Sequence, residues 1–486
     1  MNVLMLNPPF KGRFSRSSRS PAVTKGGTLY YPIWLAYAAG VVDAAGHEVL
    51  LLDAPAKEVS DEETLRRVTE FKPDLVVVDT STPSIYSDVD FAGRVKDATG
   101  AHVALVGTHP SALPEETLEL DGRVDSICLG EFDYTVRDLA DALEKGKSPN
   151  TVAGLACRVD GVIKRTAQRD KIEDLDEVPF VSSVYERFLD PADYFFAAAS
   201  YPMMMLMTGR GCPFRCFFCV YPQVFHSRRY RGRSPQNVAD EFAYIAREFP
   251  QVKEIGIEDD CFTADKKRAA AICELLIEQG NELAWYCNVR GDLDYDLLVL
   301  MKKAGCRLVT VGFESGRQDI LNAINKGETV TKYKAFAKAA RKAGVLVHGC
   351  IMTGNPGDTP ETLRESYEFA CEINCDSMQF YPLYVYPGTE AFTWAEDNGY
   401  LKTRDFSKWL TPEGTHDTVI DLPGFSGSEM MRLCDEYLKK YHLRPSYLVM
   451  KMAQAVRSPR EGYRSIKSAG TLFSKIMQGQ MGGARS

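Results

Sequence analysis

The sequence contains no uninterrupted apolar run approaching the ~18 residues that a membrane-spanning helix needs. Residues 1–9 place no basic stretch ahead of their apolar run and pass directly into a strand-like pattern, so a signal peptide is not expected. No Gly-x-Gly-x-x-Gly follows that first strand, which disfavours a dinucleotide site of the usual kind. The chain also lacks the composition of a disordered, collagenous or small disulfide-stapled protein: of its 486 residues, 45% are apolar and 26% charged. That length corresponds to two or three domains with large buried cores.

Cysteine, by contrast, is plentiful. There are 13, an odd count. Cys128, Cys157, Cys273, Cys306 and Cys371 read as scattered buried thiols, and Cys287, Cys350 and Cys375 as buried thiols or as poised ones. Cys212, Cys216 and Cys219 fall within eight residues and read as a metal or cluster site in a cytoplasmic protein.

Charge is uneven. The net value is −8, yet residues 440–486 hold nine Lys or Arg and one acid, Glu461. Residues 11–25 hold five cations and no acid. Both stretches read as solvated ends or as contacts for an anionic surface or substrate. Tyr447, Met450, Met452 and Val456, then Ile466, Leu472, Phe473 and Ile476, recur at helical spacing in the basic tail. Such a helix lies on a membrane or packs on its own enzyme, so the protein is placed in the cytoplasm with peripheral membrane contact as an option. The chain is acidic overall and its basic patches lack RNA-binding motifs, so no nucleic-acid partner is expected.

From residue 1 to 145, short apolar runs at 3–6, 49–52, 75–78, 103–106 and 126–129 alternate with helical patterns, which predicts a five-stranded parallel, flavodoxin-like sheet covered on both faces. Polar strand ends mark its ligand-binding edge: Asp79-Thr80-Ser81, Gly107-Thr108-His109-Pro110 and Gly130-Glu131. Residues 146–200 read as a linker with a small hairpin around Asp160-Gly161. A second domain, 201–400, repeats strand and helix six times, and residues 401–486 read as a C-terminal cap with the basic tail. Its strand ends are also polar, including Glu258-Asp259-Asp260, Asn288 with Arg290, Gly312-Phe313-Glu314 and Gly354-Asn355. One of the three adjacent acids is expected to cap the following helix, with Asp259 or Asp260 in that role.

The cysteine group is spaced Cys-x3-Cys-x2-Cys on a glycine-rich, basic loop after a short apolar strand. Three thiolates so placed can hold three irons of a [4Fe-4S] cluster and leave the fourth iron open. Zinc would seek a fourth ligand, and His226 is the nearest candidate.

This loop, with Phe218 ahead of its last cysteine, matches the radical S-adenosylmethionine (SAM) superfamily, which residues 200–400 resemble. Residues 1–400 resemble the cobalamin-binding class of that superfamily, on Gly107-Thr108-His109-Pro110 with Pro114-Glu115-Glu116 and on Val124-Asp125 through Gly130-Glu131. A narrower resemblance, to members acting on hopanoid-like lipids or porphyrin esters, rests on Tyr31-Pro32-Ile33-Trp34-Leu35 after the basic loop. One departure is the missing Asp-x-His-x-x-Gly motif, so the lower face of a bound cobalamin would lack a histidine ligand.

The resemblance implies an α/β chain: an N-terminal flavodoxin-like (Rossmann-type) cobalamin-binding domain, a partial (β/α)6 radical SAM barrel and a helical C-terminal segment. Its cofactors would be a [4Fe-4S] cluster on Cys212, Cys216 and Cys219, SAM, and cobalamin. SAM would meet Phe218, Glu258, Asp259, Asn288, Arg290, Gly312, Glu314 and Gly354. Cobalamin would meet Thr80, Ser81, Gly107, Thr108, His109, Gly130 and Glu131. His416 and Tyr386 are the acid-base candidates beyond the cluster. The activity implied is C-methylation of an unactivated carbon in a small-molecule or lipid-like substrate, with an external flavodoxin- or ferredoxin-type electron donor. Radical ring formation or rearrangement, and a non-catalytic iron-sulfur scaffold, are the alternatives.

Overall fold

The computed structural model describes residues 1–457, apart from Lys25 and Asp160, and residues 461–462. The apolar tail positions from Ile466 to Ile476 lie outside these described residues.

The first sheet begins with β1 (Asn2–Asn7), β2 (Glu48–Asp53), β3 (Leu75–Asp79), β4 (His102–Val106) and β5 (Ser126–Cys128). They run parallel in the order β2-β1-β3-β4-β5, the flavodoxin-like order. Every residue of β3, Leu-Val-Val-Val-Asp, is buried, as expected of a strand covered on both faces. Helix Ile33–Ala44 packs beside Asp133–Glu144, and Asp61–Phe71 beside Ile85–Thr99. The hairpin β6 (Leu155–Val159) and β7 (Val162–Arg165) joins this sheet, pairing antiparallel to β5 and taking it to seven strands. It thereby covers the edge that a three-residue β5 would otherwise expose.

The second sheet has six parallel strands: β8 (Met203–Leu206), then, after the short pair β9 (Gly209–Arg210) and β10 (Arg231–Gly232), β11 (Glu254–Ile257), β12 (Ala284–Val289), β13 (Cys306–Glu314), β14 (Leu346–Thr353) and β15 (Ser377–Pro382). Their order, β8-β11-β12-β13-β14-β15, follows the chain. Helices alternate with them and begin on side-chain caps from Ser234, Asp265, Asp294, Thr329 and Thr359, each contributing ~1 kcal/mol. The cap after β11 is Asp265 rather than Asp259 or Asp260, because the turn Phe262–Ala264 intervenes before the helix starts.

Helix Gly427–Leu443 packs on β15, and Pro445–Arg457 follows it. The turn Phe406–Trp409 meets the turn Thr82–Ser84 of the first domain, so the C-terminal segment touches both sheets' domains. Among the described residues no helix is long and apolar enough to cross a membrane.

Candidate active site

The cysteine loop is fixed from both ends. Thr208, just after β8, donates its backbone N–H and its hydroxyl to the buried Asp259 carboxylate, both at 2.6 Å. β9 and β10 then pair antiparallel and clip the loop shut. Gly211 has φ +86°, and a Cβ there would lie 2.2 Å from the Arg229 carbonyl oxygen, so only glycine fits. Its N–H donates to Asp260 Oδ2 at 3.0 Å, which also takes the His226 Nδ1 proton at 2.9 Å. Arg19, from the basic loop of the first domain, reaches Asp260 Oδ1 at 3.3 Å and donates to the Glu258 and Asp259 carbonyls at 3.2 and 2.6 Å. Burial alone would raise the Asp260 pKa, but His226 and Arg19 hold it at about 2.

Cys212, Cys216 and Cys219 are free thiols, partly exposed to one cavity of about 2800 Å³. Burial pushes the Cys212 thiol up to about 11 and Cys219 higher still. A soft cation is what such a donor set lacks for its thiolates, and three sulfurs without a fourth partner suit an iron-sulfur cluster with one open iron. His226 does not complete a zinc site. Its Nδ1 is engaged by Asp260, its ring is enclosed by Trp34, Tyr221 and Phe225, and it does not line the cavity.

The residues expected around SAM divide into two groups. Phe218, Glu258, Asn288, Arg290, Gly312 and Glu314 line the same cavity as the three cysteines. Glu258 accepts from Tyr286 Oη at 3.2 Å and from Asn288 Nδ2 at 3.3 Å, and burial raises its pKa. Arg290 lies 3.7 Å above the Phe214 ring and 3.4 Å from the Glu328 carboxylate. Glu314, at φ +61°, folds back over Gly312 and pairs with Lys326 at 2.8 Å; a Cβ on Gly312 would lie 2.1 Å from Glu314 Oε1. Asp259 and Gly354 do not line the cavity. Asp259 is committed to Thr208, and Gly354 faces Ile420 and Met430 of the C-terminal segment.

His416 and Tyr386 also line the cavity and meet at Ser20, whose Oγ lies 3.1 Å from His416 Nε2 and 3.0 Å from Tyr386 Oη. Burial raises the Tyr386 pKa, so its hydroxyl keeps its proton. Cys350 lines the cavity too, whereas Cys287 does not; burial holds both as neutral thiols, Cys350 at about 12. Arg19, Ser20, Tyr286 and Lys326 are site residues for which the sequence motifs gave no role, although Arg19 and Ser20 stand in the basic stretch 11–25, and Asp260, expected at most to cap a helix, lines the cavity as well.

The carboxyl edge of the first sheet packs directly on this site. Thr80 Oγ1 donates to the Val106 carbonyl at 2.8 Å, and the Ser81 and Ser84 hydroxyls meet at 2.7 Å. Gly107, at φ +126°, allows Thr80 to approach so closely that a Cβ would lie 2.3 Å from its carbonyl oxygen. His109 Nδ1 lies 3.2 Å from Thr82 Oγ1, its ring meets Phe406 edge-on, and burial pushes it down to about 3. Gly130 faces Lys171 and the Phe225 carbonyl. Glu131 is buried in ion pairs with Arg231 and Arg210 at 2.7 and 3.3 Å, and Asp133 with Arg210 at 2.7 Å.

Thr80, Gly107 and Thr108 line a separate space of about 20 Å³, closed by Arg16, Trp34, Phe132 and Phe225. Ser18, Arg19, Val220, Tyr221 and Tyr386 stand between it and the large cavity and line both. A corrin ring does not fit that space in this arrangement of the two domains.

A flavodoxin-like domain set edge-on against a six-stranded barrel, with a three-thiol loop where they meet, defines the class: the chain belongs to the cobalamin-binding radical SAM enzymes. The family models agree, the B12 binding domain matching residues 19–140 and the Radical SAM superfamily residues 206–370. Its cofactors are a [4Fe-4S] cluster, SAM and cobalamin, and it needs an external reductant. Among individual proteins, it is 30% identical to an uncharacterized methyltransferase of Pyrococcus horikoshii, over 92% of this chain and 94% of the relative. It is 28% identical to the anaerobic magnesium-protoporphyrin IX monomethyl ester cyclase of Rubrivivax gelatinosus, over 78% of this chain and 69% of that enzyme. In fold it is similar to the radical SAM methyltransferase TsrM of Kitasatospora setae, solved with cobalamin and a [4Fe-4S] cluster, at a TM-score of 0.69 and 18% identity over 92% and 89% of the two chains.

Proposed function

We propose that this enzyme transfers a methyl group to an unactivated carbon of a small-molecule or lipid-like substrate. The observation that carries this reading is the shared wall: Arg19, Tyr221 and Tyr386 line both the cluster cavity and the space at the carboxyl edge of the first sheet, so the two strand-end edges face each other across one layer of side chains. The methyltransferase of Pyrococcus horikoshii, similar over nearly its whole length, supports methyl transfer. When bound, SAM on a reduced cluster would supply a carbon radical.

The chain's own residues then bind, orient and exclude water. Glu258, Asn288 and Arg290 present carboxylate, amide and guanidinium groups for the amino, hydroxyl and carboxylate groups of SAM. Phe218 presents its ring to the cavity for the base. Ser20, Tyr386 and His416 offer a proton-bearing chain at the cavity wall, where a substrate hydroxyl or leaving proton can be held.

The reductant we assign is an acidic flavodoxin- or ferredoxin-type protein, because the cluster loop shows solvent the exposed Arg215. Peripheral membrane contact is supported by helix Pro445–Arg457, on which Leu448, Val449, Met452 and Val456 are 45%, 60%, 60% and 85% exposed. Co-sedimentation with anionic but not neutral vesicles checks it.

The deciding experiment is mass spectrometry of product formed with SAM deuterated in its methyl group. A labelled methyl in the product is expected. A product that forms without label would replace methyl transfer by ring formation, the reading favoured by similarity to the cyclase.

A further inference from the structure

Among the described residues, the inner face of the second sheet is not filled. Side chains alternate along a strand, and here the outward set (Trp285, Val309, Val347, Ile351 and Phe380) is buried. Of the inward set, Asn288, Thr310, His348, Cys350, Gln379 and Tyr381 line the large cavity and are buried no more than partly, while Tyr286, Leu308 and Met352 on the same face are buried. In an ordinary barrel these positions interlock as core. The space runs the length of the strands, from the cysteine loop to Ala284, Leu346 and Ser377 at the amino-terminal ends. The eight residues of β14 make that path about 26 Å long at ~3.3 Å per residue. The whole cavity, about 2800 Å³, exceeds the roughly 300–1,000 Å³ of an ordinary small-ligand pocket.

We propose that the barrel is open at its amino-terminal end, and that this second mouth admits an elongated amphiphile with an anionic end, whose far end reaches the cluster. The proposal rests on the radical site lying at the cysteine loop and names the class of substrate for it. Three features along the path define that class. The mouth carries Lys253, Lys302, Arg341 and Lys451, of which the first three are exposed, against Glu282, Asp376, Asp435 and Glu461. Arg307 is paired with Glu254 and Glu461, and Arg247 and Lys439 also line this end, so cations outnumber acids there. Midway, the Thr310 hydroxyl has no hydrogen-bond partner among the described residues, and His348 Nδ1 lies 2.7 Å from Ser377 Oγ. A polar group halfway along the ligand would satisfy Thr310. Apolar surface between these points comes from Phe196, Tyr286, Leu346 and Met352.

Helix Pro445–Arg457 frames the mouth. Tyr447 Oη donates to the Asp376 carbonyl at 2.9 Å, and Gln454 binds the Asp376 carboxylate. The same helix turns Leu448, Val449 and Met452 outward, so an amphiphile would leave a lipid surface beside the opening it enters.

The test uses the cluster-loaded full chain and cis-parinaric acid, a fluorescent long-chain carboxylate, without turnover. Saturable binding is expected, weakened at least tenfold in Gln379→Trp, which blocks the middle of the path, and weakened by Lys302→Glu at the mouth. A mid-chain hydroxystearate should displace the probe at lower concentration than stearate does, and this preference should shrink in Thr310→Val. Iron content and visible absorbance confirm that each variant has folded. Absence of saturable binding, or binding indifferent to Gln379→Trp in a folded variant, overturns the proposal. Because no methyl transfer is read, such a failure leaves the labelled-methyl experiment untouched.

Discussion

At the scale of single residues, the three cysteines and the glycine before them have no freedom. Each thiolate would hold a separate iron, so losing one leaves too few anchors to keep the cluster with its fourth corner open. Cys216→Ala is expected to lose both the iron-sulfur absorbance and 5′-deoxyadenosine release from SAM with a strong reductant. Iron analysis and chromatography check this, and retained cleavage would contradict the assignment. These thiols were legible in the sequence because their spacing is local: seven intervening bonds of chain define the loop. Arg19 and Asp260 were not. Arg19 reads as one of five cations in a basic stretch, and only the meeting of two domains turns it onto the Glu258 and Asp259 carbonyls. Asp260 looked interchangeable with Asp259, yet one binds the cysteine loop and His226 while the other binds Thr208.

At the scale of elements, strands and helices were legible where burial gives them a clear period, as in the all-buried β3. The place of the hairpin β6–β7 was not, because a two-strand pattern does not reveal which sheet edge it will cover. The same limit applies to Glu131, predicted as a cofactor contact at the end of β5 and found joining the first domain to β9 and β10. Burial would raise its pKa, but Arg210 and Arg231 bring it from 4.5 to about 2. A folded-state pKa below the unfolded one means that its stabilisation is complete above about 4.5 and is lost as pH falls towards 2. Glu131→Gln takes the carboxylate from the buried Arg231 and leaves Arg210 with Asp133. It is expected to cost ~3–5 kcal/mol in denaturant unfolding at neutral pH and to flatten the acid limb of the stability profile. An unchanged unfolding midpoint would show that the pairs hold nothing together.

At the scale of the whole molecule, His109 adds to that acid sensitivity. Its folded-state pKa, pushed from 6.5 to about 3 by burial, makes the unfolded chain the stronger proton binder between those values, so stability falls as pH drops below about 6.5. Thermal melts of the full chain across that range should show a decline that His109→Gln reduces.

The wall of Ser18, Arg19, Val220, Tyr221 and Tyr386 also bears on how a corrinoid is taken up. The space of about 20 Å³ behind it is far smaller than a corrin ring, so loading has to displace these side chains or the aromatic ones beyond them. Cobalamin uptake by protein made without it should therefore be slow, which the cobalt retained after gel filtration at successive times measures.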